Sequence, residues 1–343
     1  MKKKIRKGIY TGILLASAAF LTVFSPASER RAKTVRLENL TWPEAEKALK
    51  ECDVVLFAVG ARSKEHGPHL PLKTDYIVAE YLTDRVSREV PVAILPTLEY
   101  GYYPSFMEYP GSVSIGAETF KNTIMDICRS MSGYGIRRFY VLNTGISTLL
   151  PLKTASEELE KEGLLMRYLN LLETDKMMPL GLLRQEGGTH ADEGETSMML
   201  YIAPELVDMS KAVKDYDARP DRKGLTRDPK GTGVYSPTGV WGDPTLATKD
   251  KGRVIVETTV AEIIRQVREL AGLKNIHQHG KAGRDGEDDD RQDEDDHAQD
   301  GGVLEEVPVN ADDCDLENQE NDEGDGQDDV KSGPDGHGVP RLG

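Results

Sequence analysis

Two polar stretches, more than a hundred residues apart, hold the side chains of this 343-residue sequence that are best suited to chemistry. The first runs Gly60-Ala61-Arg62-Ser63-Lys64-Glu65-His66-Gly67-Pro68-His69-Leu70-Pro71-Leu72-Lys73-Thr74-Asp75. Two imidazoles and an acid, on a backbone stiffened by prolines, form a cradle for a metal ion. The same pattern also suits surface polar groups on a loop, and spacing alone leaves both readings open. The second stretch is Thr189-His190-Ala191-Asp192-Glu193-Gly194-Glu195-Thr196-Ser197, directly before the apolar run Met198 to Ile202. A helix starting near Ala191 places Asp192 and Glu195 on one face near its positive end. The plain alternative is capping: Thr189 with Asp192 resembles a capping box, and acids in a first helical turn need no catalytic role.

The elements that must position these loops follow from hydrophobic patterning. Thr41 with Pro43 predicts a short helix through Leu49. Asp53 to Val59 is a short, Val-rich apolar run ending at Gly60, which suits a strand covered on both faces. Helices are expected over residues 75–89, 118–132, 152–162, 192–203 and 254–270. Strands are expected at Val92 to Leu95, Arg138 to Leu142 and about 164–171. Strands alternating with helices imply parallel crossover units. In such a sheet the ligand crevice lies beyond the carboxyl ends of the strands, where the loops after Val59 and Leu142 sit.

Composition divides the chain further. Residues 281–343 hold 23 Asp and Glu against 5 Lys and Arg, a balance of −18, so residues 1–280 sum to about +2 against −16 for the whole chain. The near-neutral part offers no electrostatic case for nucleic acid as a partner. From about Asn275 the apolar content collapses, and residues 275–343 are expected to form a disordered acidic tail. Lys2, Lys3, Lys4, Arg6 and Lys7 precede an uncharged stretch over residues 8–28, the signature of a signal peptide or membrane anchor. The expected location is therefore periplasmic or extracellular, with membrane contact only through that segment. Three cysteines are too few for a disulfide framework; Cys52 and Cys128 are expected to pack in the core, and Cys314 to be a free thiol in the tail.

The motifs together resemble the creatininase family. That family's Glu-Gln-His-Gly-Pro-His-Leu-Pro-Leu-Gly-Thr-Asp pattern, followed far downstream by Glu-Thr-Ser, corresponds here to His66-Gly67-Pro68-His69-Leu70-Pro71-Leu72-Lys73-Thr74-Asp75 and Glu195-Thr196-Ser197. Pro96 to Gly101, Tyr109 to Ser114, Gly135 to Arg138 and Gly239 to Pro244 also fall in the family's order. The resemblance, over residues 35–272, implies a three-layer α/β fold with a mainly parallel central sheet flanked by helices. It implies hydrolysis of a non-peptide C–N amide bond in a small molecule, divalent Zn, Mn or Fe, and a homo-oligomer. Carried across, His66 and Asp75 match metal ligands, Glu195 matches the motif glutamate, and His190 falls at a catalytic histidine. A His with two carboxylates leaves coordination positions open for water and polarises an amide carbonyl, while His190 can protonate the leaving nitrogen.

Two departures from the pattern alter the expected site. The family's glutamate ahead of Gln-His-Gly falls at Lys64 counted back from His66 and at Ser63 counted forward from Gly60, although a bulge would let Glu65 reach the vacated position as a ligand. The family's Asn-Gly-His-Gly-Gly-Asn turn becomes Asn143-Thr144-Gly145-Ile146-Ser147-Thr148, so its histidine is replaced by Gly145. The expectation is one metal ion per chain, with Lys64 either standing in for the missing cation or remaining a solvated loop residue. A non-catalytic relative keeping the fold and a ligand pocket is the alternative, and creatinine itself is a poor fit to the altered loop.

Overall fold

The structure, a computed structural model, describes residues 34–217 and 224–272. The expected signal or anchor segment over 1–28, the acidic tail over 275–343 and Cys314 lie outside the described residues. No helix among the described residues is long and apolar enough to cross a membrane.

In chain order the main elements are β1 (Val35–Arg36), α1 (Trp42–Lys50), β2 (Val55–Val59), α2 (Thr74–Ser87), β3 (Ala93–Ile94), α3 (Ala117–Ser132), β4 (Arg138–Asn143), α4 (Leu149–Lys161), β5 (Leu165–Tyr168), α5 (Leu171–Asp175), α6 (Glu193–Ile202), β6 (Leu225–Thr226), β7 (Val234–Tyr235) and α7 (Lys249–Gly272). Five strands form one sheet in the order β1-β3-β2-β4-β5, with every pair parallel. A separate parallel pair joins β6 to β7. The closing helix begins at Lys249 rather than Val254, because its first turn is polar and carries no apolar periodicity.

The sheet is sandwiched between two helical layers, and the sequence of β2 shows why. Val54, Leu56 and Ala58 pack with α2, α6 and α7, through residues such as Val78, Met199, Val256 and Ile263. Val55, Phe57 and Val59 point the other way, onto Phe120, Ile124 and Leu152 of α3 and α4. Successive strand side chains alternate between faces, so an unbroken apolar run is what a doubly covered strand requires. Each large side chain buried this way contributes roughly 1.5–3 kcal/mol over an exposed one. Cys52 and Cys128 are buried in the second of these clusters.

This topology fixes where a ligand can sit. From β2 the chain crosses to β3 on one side, whereas from β4 it crosses to β5 on the other. The crevice between the carboxyl ends of β2 and β4 is therefore the switch point of the sheet. The loop of residues 60–73 leaves the end of β2, and the turn of residues 143–148 leaves the end of β4. The N-terminus of α6 is brought to the same crevice by its crossing with α7, where a Cβ at Gly252 would lie 1.8 Å from the Ser197 carbonyl oxygen. Neither backbone can yield there without moving α6. The variant Gly252→Ala is expected to lose at least about 2 kcal/mol of stability, from overpacking at a rigid crossing, read as a lowered urea midpoint.

Candidate metal and catalytic site

At the head of the site stand Lys64, His66 and Asp75. All three are buried, with His66 fully enclosed. The His66 Nδ1 lies 2.9 Å from the backbone carbonyl of Lys64, which can only accept, so that nitrogen carries the hydrogen. Its Nε2 therefore presents a lone pair, and this faces Asp75 Oδ1 at 2.9 Å. Two lone pairs at that distance require a cation: a proton when the site is bare, or a metal ion when it is filled. Burial lowers the basicity of His66, but Asp75 outweighs it and holds the imidazole above its ordinary pKa. The other oxygen, Asp75 Oδ2, is 2.7 Å from Lys64 Nζ. The two groups form a buried ion pair.

Lys64 is thus no solvated loop residue, being 4 % exposed. Its ammonium lies 4.9 Å from the Phe106 ring centre and 5.3 Å from that of Tyr103. Burial pulls its pKa down, yet Asp75, Glu195 and Glu65 together hold it above the ordinary lysine value. Asp75 answers in kind: burial favours its neutral form, but Lys64 and His66 keep it well below the usual carboxylate range.

The second stretch reaches the site through α6. Asp192 is itself the N-cap, accepting from the Glu195 amide at 2.9 Å, which corrects the Thr189–Asp192 capping box by one turn of register. The residue before it, Ala191, has φ of +47°, a left-handed conformation that disfavours any side chain. That bend turns its amide onto Glu195 Oε2 at 2.5 Å and aims the carboxylate at the crevice. A reciprocal pair of backbone hydrogen bonds between His190 and Trp241 anchors the strand segment just upstream.

Glu65 takes a different part from the one the bulge suggests. Its Oε2 lies 3.0 Å from His190 Nε2, and its Oε1 accepts from the Gly67 amide. A Cβ at position 239 would meet this carboxylate at 2.1 Å, which accounts for Gly239 with its φ of +78°. Glu65 therefore orients His190 instead of completing the ligand set beside His66. The His190 ring is further fixed by Phe106, 4.3 Å between centres, and its Nδ1 lies 3.6 Å from Glu195 Oε2.

Ligand atoms of His66, His190 and Glu195 all lie within 4.8 Å of one another. Two imidazoles and a carboxylate are a donor set for a divalent catalytic ion, and Asp75, 2.9 Å from His66 Nε2, adjoins it. The residues present therefore fit a divalent ion. The β4 side of the crevice is formed by the turn at Gly145. A Cβ there would stand 3.1 Å from Thr148 Oγ1 and 3.2 Å from the Tyr103 ring. Asn143 folds the turn back on itself, donating to the Gly145 carbonyl at 2.7 Å and accepting from Thr148 Oγ1 at 2.6 Å.

Below these groups lies a cavity of about 340 Å³, polar at the Lys64, Asp75, His190 and Glu195 end and otherwise mainly apolar. Residues that sequence reasoning passed over include Tyr103 and Phe106, whose signal was the aromatic cluster Tyr102-Tyr103-Pro104-Ser105-Phe106. His69 faces away: its Nε2 pairs with Thr196 Oγ1 at 2.8 Å, tying the first loop to α6, and burial lowers its pKa to about 4, so it is neutral.

A parallel α/β sheet with a metal-binding crevice at its switch point defines a metallohydrolase type of architecture. The profile of the creatininase family, described as creatinine amidohydrolase, matches residues 38–267, and the chain belongs to that family. The creatinine amidohydrolase of Pseudomonas putida is 26 % identical over 258 residues, covering 69 % of this chain and 98 % of the relative. The mycofactocin precursor peptide peptidase of Mycobacterium ulcerans is 29 % identical over 238 residues, 66 % of this chain and 85 % of that one. Among solved structures, a mutant creatininase of Zn-Zn type superposes with a TM-score of 0.59 at 26 % identity, covering 70 % of this chain and all of the other.

The Lys64–Asp75 contact can be tested apart from any activity. In the presence of chelator, Lys64→Met is expected to cost about 3 kcal/mol or more, because it strands a buried carboxylate without its counter-charge. Chemical denaturation of wild type and variant reads this directly.

Proposed function

We propose that the chain is a metal-dependent hydrolase of a non-peptide C–N amide bond in a small substrate, using one divalent ion per chain. The observation that carries this reading is the contact of the His66 Nε2 lone pair with Asp75 Oδ1, at a point where Glu195 also offers a ligand atom within 4.8 Å of His66. Zn, Mn and Fe are the candidate metals. The bound ion would polarise the amide carbonyl and acidify water.

The chain's own residues supply the remainder. Lys64 stands where a second cation would otherwise balance Asp75, and its ammonium stabilises negative charge developing on the carbonyl oxygen. Glu65 holds His190 by Nε2 and orients the imidazole, which can deliver a proton to the leaving nitrogen. The aromatic walls of Tyr103 and Phe106 shield these charges from water. The exported location and the homo-oligomeric state belong to the same reading, the first supported by the basic and apolar opening of the sequence and the second by the family resemblance.

One observation favours a second ligand set, because His190 lies within ligand distance of His66 and Glu195. In that case His190 binds the ion and does not carry the proton. Elemental analysis of metal-reconstituted protein is expected to find about one equivalent, lost in Glu195→Ala and in Asp75→Asn. His190→Ala is expected to keep the ion while the rate on a cleaved amide falls about 10²–10⁴-fold. Loss of the ion in that variant would assign His190 to the metal instead.

A further inference from the structure

Asp175, the last residue of α5, lines the same cavity as Lys64, His190 and Glu195. Its carboxylate makes no hydrogen bond or ion pair with any other described residue. The residue is exposed at the cavity rim, so a ligand can reach its carboxylate. The same lining holds the apolar side chains Leu171, Met178, Leu183 and Met198. The two described side chains of the lining that can carry positive charge are already engaged, Lys64 by Asp75 and His190 by Glu65. Among the described residues the cavity therefore offers an anionic substrate no free counter-charge, while it offers a cationic one an unpaired, exposed carboxylate on its lining.

We propose that Asp175 is a specificity residue that receives a positively charged nitrogen of the substrate, so that the preferred amides carry an amine joined by an apolar stem to the scissile bond. The proposal rests on the hydrolase reading for what is cleaved, but not for what is bound. The apolar side chains of the lining take the stem, and the exposed carboxylate takes the cation.

The test uses the full chain, reconstituted with zinc or manganese, and three matched probe series of increasing chain length: ω-aminoalkanamides, the parent alkanamides and the monoamides of dicarboxylic acids. Dissociation constants are measured by calorimetry, and hydrolysis is followed separately by product release. At the best length the amino series is expected to bind roughly fivefold more tightly than the neutral one, with the acids weakest. In Asp175→Asn that ratio should fall to about one, and in Asp175→Lys the order should invert, each variant being checked for unaltered melting and metal content. Equal binding of the three series by wild type, no detectable binding of any amino probe, or an amine preference that survives Asp175→Asn each overturns the proposal. An amine preference without turnover would remove the hydrolase reading and leave Asp175 in place. Turnover of neutral amides without an amine preference would do the reverse.

Discussion

The site depends on a buried pair of opposite charges, Lys64 and Asp75, contributed by the loop after β2 and the first turn of α2. Neither charge could stay there alone, since the desolvation of a lone ammonium or carboxylate exceeds what packing returns. Together they fix the loop of residues 60–73 against α2, and that loop carries His66 and Glu65 into the crevice. The consequence is a division of labour along three adjacent residues. Lys64 neutralises Asp75, Glu65 orients His190, and His66 turns its free nitrogen toward Asp75.

The opposite wall is secured by a second buried pair. Glu193, fully enclosed, accepts from the amides of Arg184 and Gln185 at 2.7 and 2.8 Å and meets the ammonium of Lys251 in α7. This pins the first turn of α6, so the left-handed bend at Ala191 persists and Glu195 is held in the crevice. The strain at one residue is maintained by the ion pair and the close α6–α7 crossing around it. Acids at Asp192, Glu193 and Glu195 all suit a helix N-terminus, yet each has a separate partner: the cap, the anchor and the site.

Much of this was legible in the sequence where the physics is local. The apolar run from Val54 to Val59 identified a doubly buried strand, and its flanking Gly60 marked the start of the site loop. The spacing from His66 to Asp75 and the Glu195-Thr196-Ser197 motif pointed to the family. Other features depend on tertiary placement and leave no local trace. Whether Glu65 turned toward His66 or His190 depended on the path of a loop with one inserted residue, and on a glycine at 239 that makes room for the carboxylate. The burial of Lys64 required the rings of Tyr103 and Phe106, forty residues downstream. Asp175 carried no motif, and its place on the cavity lining emerges only from the fold.

The central claim is that an ammonium and one divalent ion share the charge of Asp75. Anomalous scattering from a metal-soaked crystal, collected at the absorption edge of the soaked ion, tests it most directly. The account predicts a single peak in each chain, bonded to His66 Nε2 and Glu195, with Lys64 still turned onto Asp75. Two peaks, or a metal in the place of the Lys64 ammonium with that side chain swung out to solvent, would contradict it.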